Sequence, residues 1–270
     1  MNGDFGIRVA QERKRDDETG TQDVKRATSN QQRATSNWNM TEPATSNPPY
    51  GGQPATTKGW LFVFEGIDGS GKTTQVRHAA KSLRARGLEI VELFEPTDGR
   101  FGRQIRMLTQ RKGQPFAPEQ QVELFIRDRM ENVENNIRPA LDRGDVILLD
   151  RYYYSTVAYQ GAFGLDPEEI RRRNESFAPR PNLVLYFSVG TEEAFRRMEC
   201  KRTGVTDIFE RRDYLDRVKA IYDDLAKRLG VFHTIDAAAD EETVARQVLE
   251  AIDKCMTKRR CSRDNLKPET

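Results

Sequence analysis

The chain has 270 residues, with 44 Lys and Arg against 42 Asp and Glu for a formal net charge of +2, so no global field draws it to nucleic acid or to an anionic surface. Its three cysteines, Cys200, Cys255 and Cys261, have no metal-ligand spacing with its two histidines, His78 and His233, which argues against a zinc site and fits a reducing compartment. With no apolar run of about 18 residues and no signal peptide, a soluble cytoplasmic protein without a membrane anchor is expected.

From Met1 to Thr57 apolar clusters are almost absent, and Arg26-Ala27-Thr28-Ser29-Asn30 recurs as Arg33-Ala34-Thr35-Ser36-Asn37 and, degenerately, as Pro43-Ala44-Thr45-Ser46-Asn47. The unit is too short and polar to bury a face, so residues 1–57 read as a disordered, low-complexity extension with balanced charge. Residues 58–260 form one domain of about 200 residues, enough for a single covered core, and 261–270 a short polar tail.

The domain opens on the apolar run Trp60 to Phe64, a buried strand, followed by Gly66-Ile67-Asp68-Gly69-Ser70-Gly71-Lys72-Thr73. This satisfies the P-loop pattern: glycines let the backbone curl so that successive N–H groups face phosphate oxygens, and the helix that follows, Thr74 to Arg86, adds its positive end. Lys72 would reach the β and γ phosphates of a nucleoside triphosphate, and Thr73 would ligate Mg²⁺. Further strands are expected at 88–94, 145–149, 182–189 and 231–235, alternating with helical stretches. The first helix ends at Gly87, and Ala117-Pro118 opens a long one to Gly144 with a kink at Pro139. Asp166-Pro167-Glu168-Glu169 has the form of a capping box, and Val244, Val248, Leu249 and Ile252 give the last helix its apolar stripe. Lys258-Arg259-Arg260 reads as its solvated end. Strand–helix repetition of this kind implies an α/β three-layer sandwich of the P-loop NTPase type, a five-stranded parallel sheet with helices on both faces, whose ligands lie beyond the carboxyl ends of the strands.

After the third strand comes Asp150-Arg151-Tyr152, continuing to Tyr159-Gln160-Gly161. Asp150 ends a Walker B-like segment and can hold Mg²⁺ through water. Tyr153 stands where a guanine-nucleotide switch needs glycine, and no N/T-K-x-D motif exists, which speaks against a GTPase. For Tyr152, Tyr153 and Tyr154 a packing role is expected, since three adjacent aromatics cannot all face one ligand.

Three segments together, Phe64 to Gln75, Phe125-Ile126-Arg127-Asp128-Arg129, and Asp150 to Gly161, resemble the thymidylate kinase family, whose members phosphorylate dTMP to dTDP with ATP. The resemblance runs from Lys58 to the last helix and does not include the extension. It implies ATP and dTMP as ligands, Mg²⁺ as cofactor, no nucleic acid, and a homodimer. It implies that Phe125 stacks on the base, that Arg129 donates to a base carbonyl, that Thr156 and Gln160 hydrogen-bond the base, and that Tyr159 crowds the sugar 2′ position. Asp68 would contact the acceptor's 3′-hydroxyl and phosphate end, and Arg151 would bridge acceptor and donor phosphates. The chain departs from the family at Phe94-Glu95-Pro96, where an arginine is often found before the Glu; Arg100 or Arg103 is a candidate replacement, and Glu95 a candidate substrate contact. Gly69 stands where one subgroup has a catalytic arginine, which points to a mobile lid with Arg196, Arg197, Lys201 or Arg202, followed by Ile208 where some relatives have arginine. A charged helix face explains any one of these equally well. The alternatives are a deoxynucleoside kinase with Glu95 as base and a nucleotide-binding module without turnover.

Deleting residues 1–57 should leave kcat unchanged. A coupled ADP-release assay on the truncated and full chains checks this, and a large loss would give the extension a catalytic or folding part.

Overall fold

The computed structural model describes residues 58–110, 117–199 and 208–264, with no side-chain description for 110, 199, 208–211 and 260–264. The extension, Lys201, Arg202 and the Thr203 to Thr206 stretch lie outside the described residues. The elements, in order, are β1 (Trp60–Glu65), α1 (Lys72–Arg84), β2 (Ile90–Phe94), α2 (Arg100–Gln110), α3 (Pro118–Asn132), a π turn (Val133–Ile137), α4 (Arg138–Arg143), β3 (Val146–Asp150), α5 (Tyr153–Ala162), α6 (Pro167–Glu175), β4 (Leu183–Ser188), α7 (Thr191–Glu199), α8 (Ile208–Arg228), β5 (Phe232–Asp236) and α9 (Glu241–Asp264).

Five parallel strands lie in the order β2-β3-β1-β4-β5, as the alternation of apolar runs predicts. Leu61 to Phe64 and Val146 to Leu149 are buried on both faces, as continuous apolar strands between two helical layers must be. The register levels the strand ends: Phe64 lies opposite Asp150, and Phe94 also lies opposite Asp150. The segments that follow β1, β2 and β3 therefore emerge side by side, and that is where the P-loop, Glu95 and Arg151 stand.

Three local features differ from the sequence expectation. The long helix to Gly144 is not simply kinked at Pro139; it breaks into α3, a π turn and α4, with the Arg138 N–H reaching back to the Val133 carbonyl. Pro139 lacks an N–H and its ring would press on the carbonyl four residues back, and widening the preceding turn removes that conflict. At α6 the Asp166 carboxylate caps the Glu168 N–H at 2.9 Å, but Glu169 does not close the box: both its oxygens bind Arg172. Finally, Arg259 is not solvated. It donates to the Gly59 carbonyl at 2.9 Å and lies 4.5 Å over the Trp60 ring, clasping the last helix to the start of β1. Among the described residues no helix is long and apolar enough to cross a membrane.

Arg259→Ala should lower stability by about 1–2 kcal/mol, the sum of one hydrogen bond and a partly exposed cation–π contact, or roughly 2–8 °C in Tm for a domain of this size. Differential scanning calorimetry reads the shift; an unchanged Tm would mean the clasp contributes nothing.

Candidate active site

The P-loop joins β1 to α1 with three glycines at positive φ, Gly66, Gly69 and Gly71. Gly69 is the most constrained: a Cβ there would lie 2.4 Å from the Ala194 carbonyl oxygen, at φ +81. No arginine fits at this position, which accounts for the departure seen in the sequence. Gly71 precedes α1 in a left-handed conformation without a side-chain cap, so the first N–H groups of the helix are left to an anion.

Lys72 is buried, and its ammonium donates to the Ile67 carbonyl at 2.8 Å and to Ser70 Oγ at 3.3 Å. Burial, followed by the charge of Arg151, lowers its pKa to about 7. Thr73 donates its hydroxyl to the Asp150 carboxylate. One hydroxyl and one carboxylate make a hard oxygen pair of the kind that holds Mg²⁺ together with phosphates and water; among the described residues there is no cluster of three or more ionisable ligands that would form an all-protein cage.

Arg151 is the only non-glycine residue at positive φ among the described residues, at 69°, a conformation that costs about 1–3 kcal/mol and persists where its surroundings fix it. Its partner is Asp68, at 2.6 Å, not the neighbouring Asp150. It also donates to Ser155 Oγ at 3.0 Å and to the Gly66 carbonyl at 3.3 Å, and it lies 5.2 Å over the Tyr159 ring. Burial raises the Asp68 carboxyl, but Arg151 and then Lys72 more than offset this and hold it below the usual range. Tyr159 accepts from the Asp68 N–H at 3.1 Å, and burial pushes its own hydroxyl up to about 12.

From this cluster a cavity of about 550 Å³ runs between α3, α5 and the segment after β2. Asp68 and Arg151 line one end of it, and Phe125, Arg129, Thr156, Tyr159, Gln160 and Glu95 line the rest. Phe125 is half-buried and faces this space; it is not a core aromatic. Arg129, one turn on, is 1 % exposed and is not paired with Glu131 or Glu134. Glu95 binds its Nε at 2.8 Å, Asn174 its Nη1 at 2.5 Å and Thr156 its Nη2 at 3.1 Å. A guanidinium has five N–H groups, so Nη1 keeps a second hydrogen beyond its contact with Asn174. Gln160 donates to Gln121 at 3.2 Å, while its own carbonyl oxygen is buried without a partner. A buried acceptor of this kind is costly until something donates to it.

Glu95 carries both Arg129 and, through Oε1 at 3.1 Å, Asn132. Burial raises its pKa to about 6 against the lowering effect of Arg129. Arg100 and Arg103 do not stand in for the missing arginine: Arg100 pairs with Glu131 at 2.7 Å, Arg103 donates to the Asp98 carbonyl, and neither lines the cavity. Arg197 binds Glu193 at 2.7 Å on α7, as does Arg196 at 2.6 Å; here the helix-face reading is what the geometry gives. Tyr152, Tyr153 and Tyr154 are buried and in ring contact with one another, although Tyr152 also touches the cavity.

Sequence reasoning missed Glu65, Gln121, Asn174 and Tyr214. Gln121 sits one turn before Phe125 on the same face of α3, a spacing that could have exposed it. Tyr214, on α8, belongs to no motif; it lines the cavity and donates to the Tyr159 carbonyl at 2.8 Å.

A family model described as thymidylate kinase matches residues 64–248. The thymidylate kinase of Desulfotalea psychrophila is 39% identical over 198 residues, 73% of this chain and 96% of that protein. That of Akkermansia muciniphila is 43% identical over 197 residues, 72% of this chain and 92% of its own length. A probable thymidylate kinase of Archaeoglobus fulgidus is 37% identical, with 72% and 94% covered.

The Lys72 pKa of about 7 against an ordinary 10.5 leaves the folded chain with fewer protons than the unfolded one between those values, so stability gains from this group as pH rises through the window. A triphosphate bound at the P-loop would restore the ammonium. At pH 8, Mg-ATP binding should therefore take up a fraction of a proton, seen as a buffer-dependent enthalpy in calorimetry and lost in Lys72→Met. No dependence on buffer would contradict the lowered pKa.

Proposed function

The chain belongs to the thymidylate kinase family, and on that premise we propose that this cavity, with the P-loop at its end, is where the γ-phosphoryl group of ATP passes to dTMP. The chain is an ATP-dependent phosphotransferase whose product is dTDP. The observation that carries the assignment of residues is a single cavity with Asp68 and Arg151 at the phosphate-binding end and an aromatic wall, Phe125, with polar groups for a base at the other.

In this reading the P-loop N–H groups of Gly66 to Thr73 and the Lys72 ammonium hold the ATP phosphates. A phosphate oxygen of dTMP attacks the γ phosphorus in line, and the bond to the ADP oxygen breaks. The acceptor oxygen is already ionised at neutral pH, so no strong base is required and the protein contributes positioning and charge. Arg151 exchanges Asp68 for phosphate oxygens and offers its fork to both nucleotides. Thr73 and Asp150 would hold Mg²⁺, which neutralises charge on the β and γ phosphates when bound. At the base, Phe125 supplies the stacking face, Arg129 its remaining Nη1 hydrogen for a carbonyl, and Gln160 its unpaired oxygen for the ring N–H, with Tyr159 beside the sugar; Thr156, expected on the base, instead accepts from Arg129 and reaches the base only through it. Glu95 supports the acceptor side by orienting Arg129. Of the lid candidates, Lys201 and Arg202 lie outside the described residues.

A deoxynucleoside kinase would need a carboxylate free to take a sugar proton, whereas both Glu95 oxygens are engaged by Arg129 and Asn132. Exposed Phe94, Met107 and Met130 are apolar surface that a second copy would cover, which supports a homodimer. The small net charge of +2 supports an enzyme without a nucleic-acid partner, and a cytoplasmic location is part of the same proposal.

An acceptor panel of dTMP, dUMP, thymidine and AMP with Mg-ATP tests the reading. We expect dTMP to be preferred, dUMP to be poorer by roughly 10 to 200-fold because a methyl group gives a pocket only about 1–3 kcal/mol, and thymidine to be inert. Lys72→Ala or Arg151→Ala should reduce kcat by about 10² to 10³. Turnover of thymidine at the rate of dTMP, or a fully active Arg151→Ala enzyme, would contradict it.

A further inference from the structure

Glu65 ends β1, one residue before the P-loop, and is completely buried. It is not among the residues that line the cavity. Its carboxylate turns away from the loop toward the start of α5. Oε1 accepts from the N–H groups of Tyr152 at 2.8 Å and Ser155 at 3.1 Å, and Oε2 from the hydroxyls of Ser155 at 2.6 Å and Tyr222 at 2.8 Å. Tyr152 is the N-cap residue of α5 and offers no side-chain cap, so two of the N–H groups at that helix start, those of Tyr152 and Ser155, are met by a carboxylate from another strand. An anion is also the group that a helix N-terminus favours.

The residue before that cap is Arg151. Its strained turn is pinned on both sides, by its own N–H on the Phe64 carbonyl at 3.0 Å and by the following N–H on Glu65. Its guanidinium is pinned through the same group, because Ser155 Oγ receives Arg151 Nη1 at 3.0 Å while donating to Glu65. Tyr222, on α8, holds the far side of the carboxylate and stacks on Tyr186 at 5.4 Å. A buried carboxylate costs stability that an apolar residue would not. All its bonds but one, the Tyr222 bond, go to the turn that aims one arginine.

We propose that Glu65 is a positioning residue for phosphoryl transfer, which acts only through Arg151 by capping α5 and fixing the backbone and the guanidinium of that arginine. The proposal rests on the reading of Arg151 as the bridge between the two phosphates. Glutamine at 65 keeps the size and can still accept from the two N–H groups, but it presents an amide donor to Ser155 and Tyr222. Both hydroxyls must then turn, and Ser155 must accept from two sides at once.

The test is a double-mutant cycle in the full chain: kcat and KM for ATP and dTMP in wild type, Glu65→Gln, Arg151→Ala and the double variant, with Tm for each. We expect Glu65→Gln to lower kcat by about 10 to 100-fold with both KM values within about 3-fold, and to lower it by less than about 3-fold when Arg151 is already Ala. The same loss in both backgrounds, or full kcat in a folded Glu65→Gln enzyme, overturns the proposal. Should Glu65→Gln not fold, Tyr222→Phe takes its place in the cycle: it removes one of the four bonds and leaves the carboxylate, and its loss of kcat must likewise vanish without Arg151. A wild-type chain inactive on dTMP would sink the reading beneath; an active one with an additive cycle sinks this inference alone.

Discussion

The left-handed turn at Arg151 is the constraint on which the site depends. A parallel sheet delivers three chain segments to one edge, but level strand ends alone do not aim a guanidinium. Here β3 must leave the sheet, reverse within one residue and start α5 so that Arg151 points back across the P-loop. The strain is held by hydrogen bonds that the Arg151 and Tyr152 N–H groups donate to Phe64 and Glu65 on the adjacent strand, so the P-loop strand positions both of the cations proposed to meet the phosphates, Lys72 through the loop and Arg151 through the turn.

The electrostatics of the unliganded site follow from that arrangement. Two cations, Lys72 and Arg151, are held close in a buried place. The protein manages this by pairing Arg151 with Asp68 and by making Lys72 easy to deprotonate. Neither solution is the best one for a cation, and under the proposed function both would yield to phosphates, which offer more charge and better geometry than a carboxylate or a carbonyl. The end proposed for the base is built on the opposite principle. Arg129 is anchored by Glu95, Asn174 and Thr156 and keeps one Nη1 hydrogen, so in the proposed function recognition falls to that pre-formed donor and to the open Gln160 oxygen.

The parts legible in the sequence were those set by local rules. Apolar runs marked all five strands; the inner β1, β3 and β4 are nearly continuous because both faces are covered, while the edge strands β2 and β5 admit Glu92, His233 and Thr234. Glycine spacing marked the P-loop, and the resemblance to the thymidylate kinase family, with the i, i+4 spacing consistent with it, marked Phe125 and Arg129 on one wall of the cavity. What stayed hidden depends on contacts distant in the chain. Glu65 looked like the end of a strand, and its partners are about 90 and 157 residues away. Asn174 reaches Arg129 from α6 and Tyr214 reaches Tyr159 from α8, with no motif around either. The π turn before Pro139 reflects how one helix accommodates an imino acid while still burying Val133 and Ile137, a choice that propensity alone does not reveal. Arg100 and Arg103 were plausible by composition, yet their nearest carboxylate and carbonyl claimed them first.

The most direct measurement is a crystal structure of the chain with dTMP, ADP, Mg²⁺ and a planar fluoride mimic of the transferring phosphoryl group. The account requires Arg151, still left-handed, to place guanidinium nitrogens within about 3 Å of both the mimic and the dTMP phosphate, with Phe125 against the base. An Arg151 that stays on Asp68 while the two phosphates meet elsewhere would contradict it.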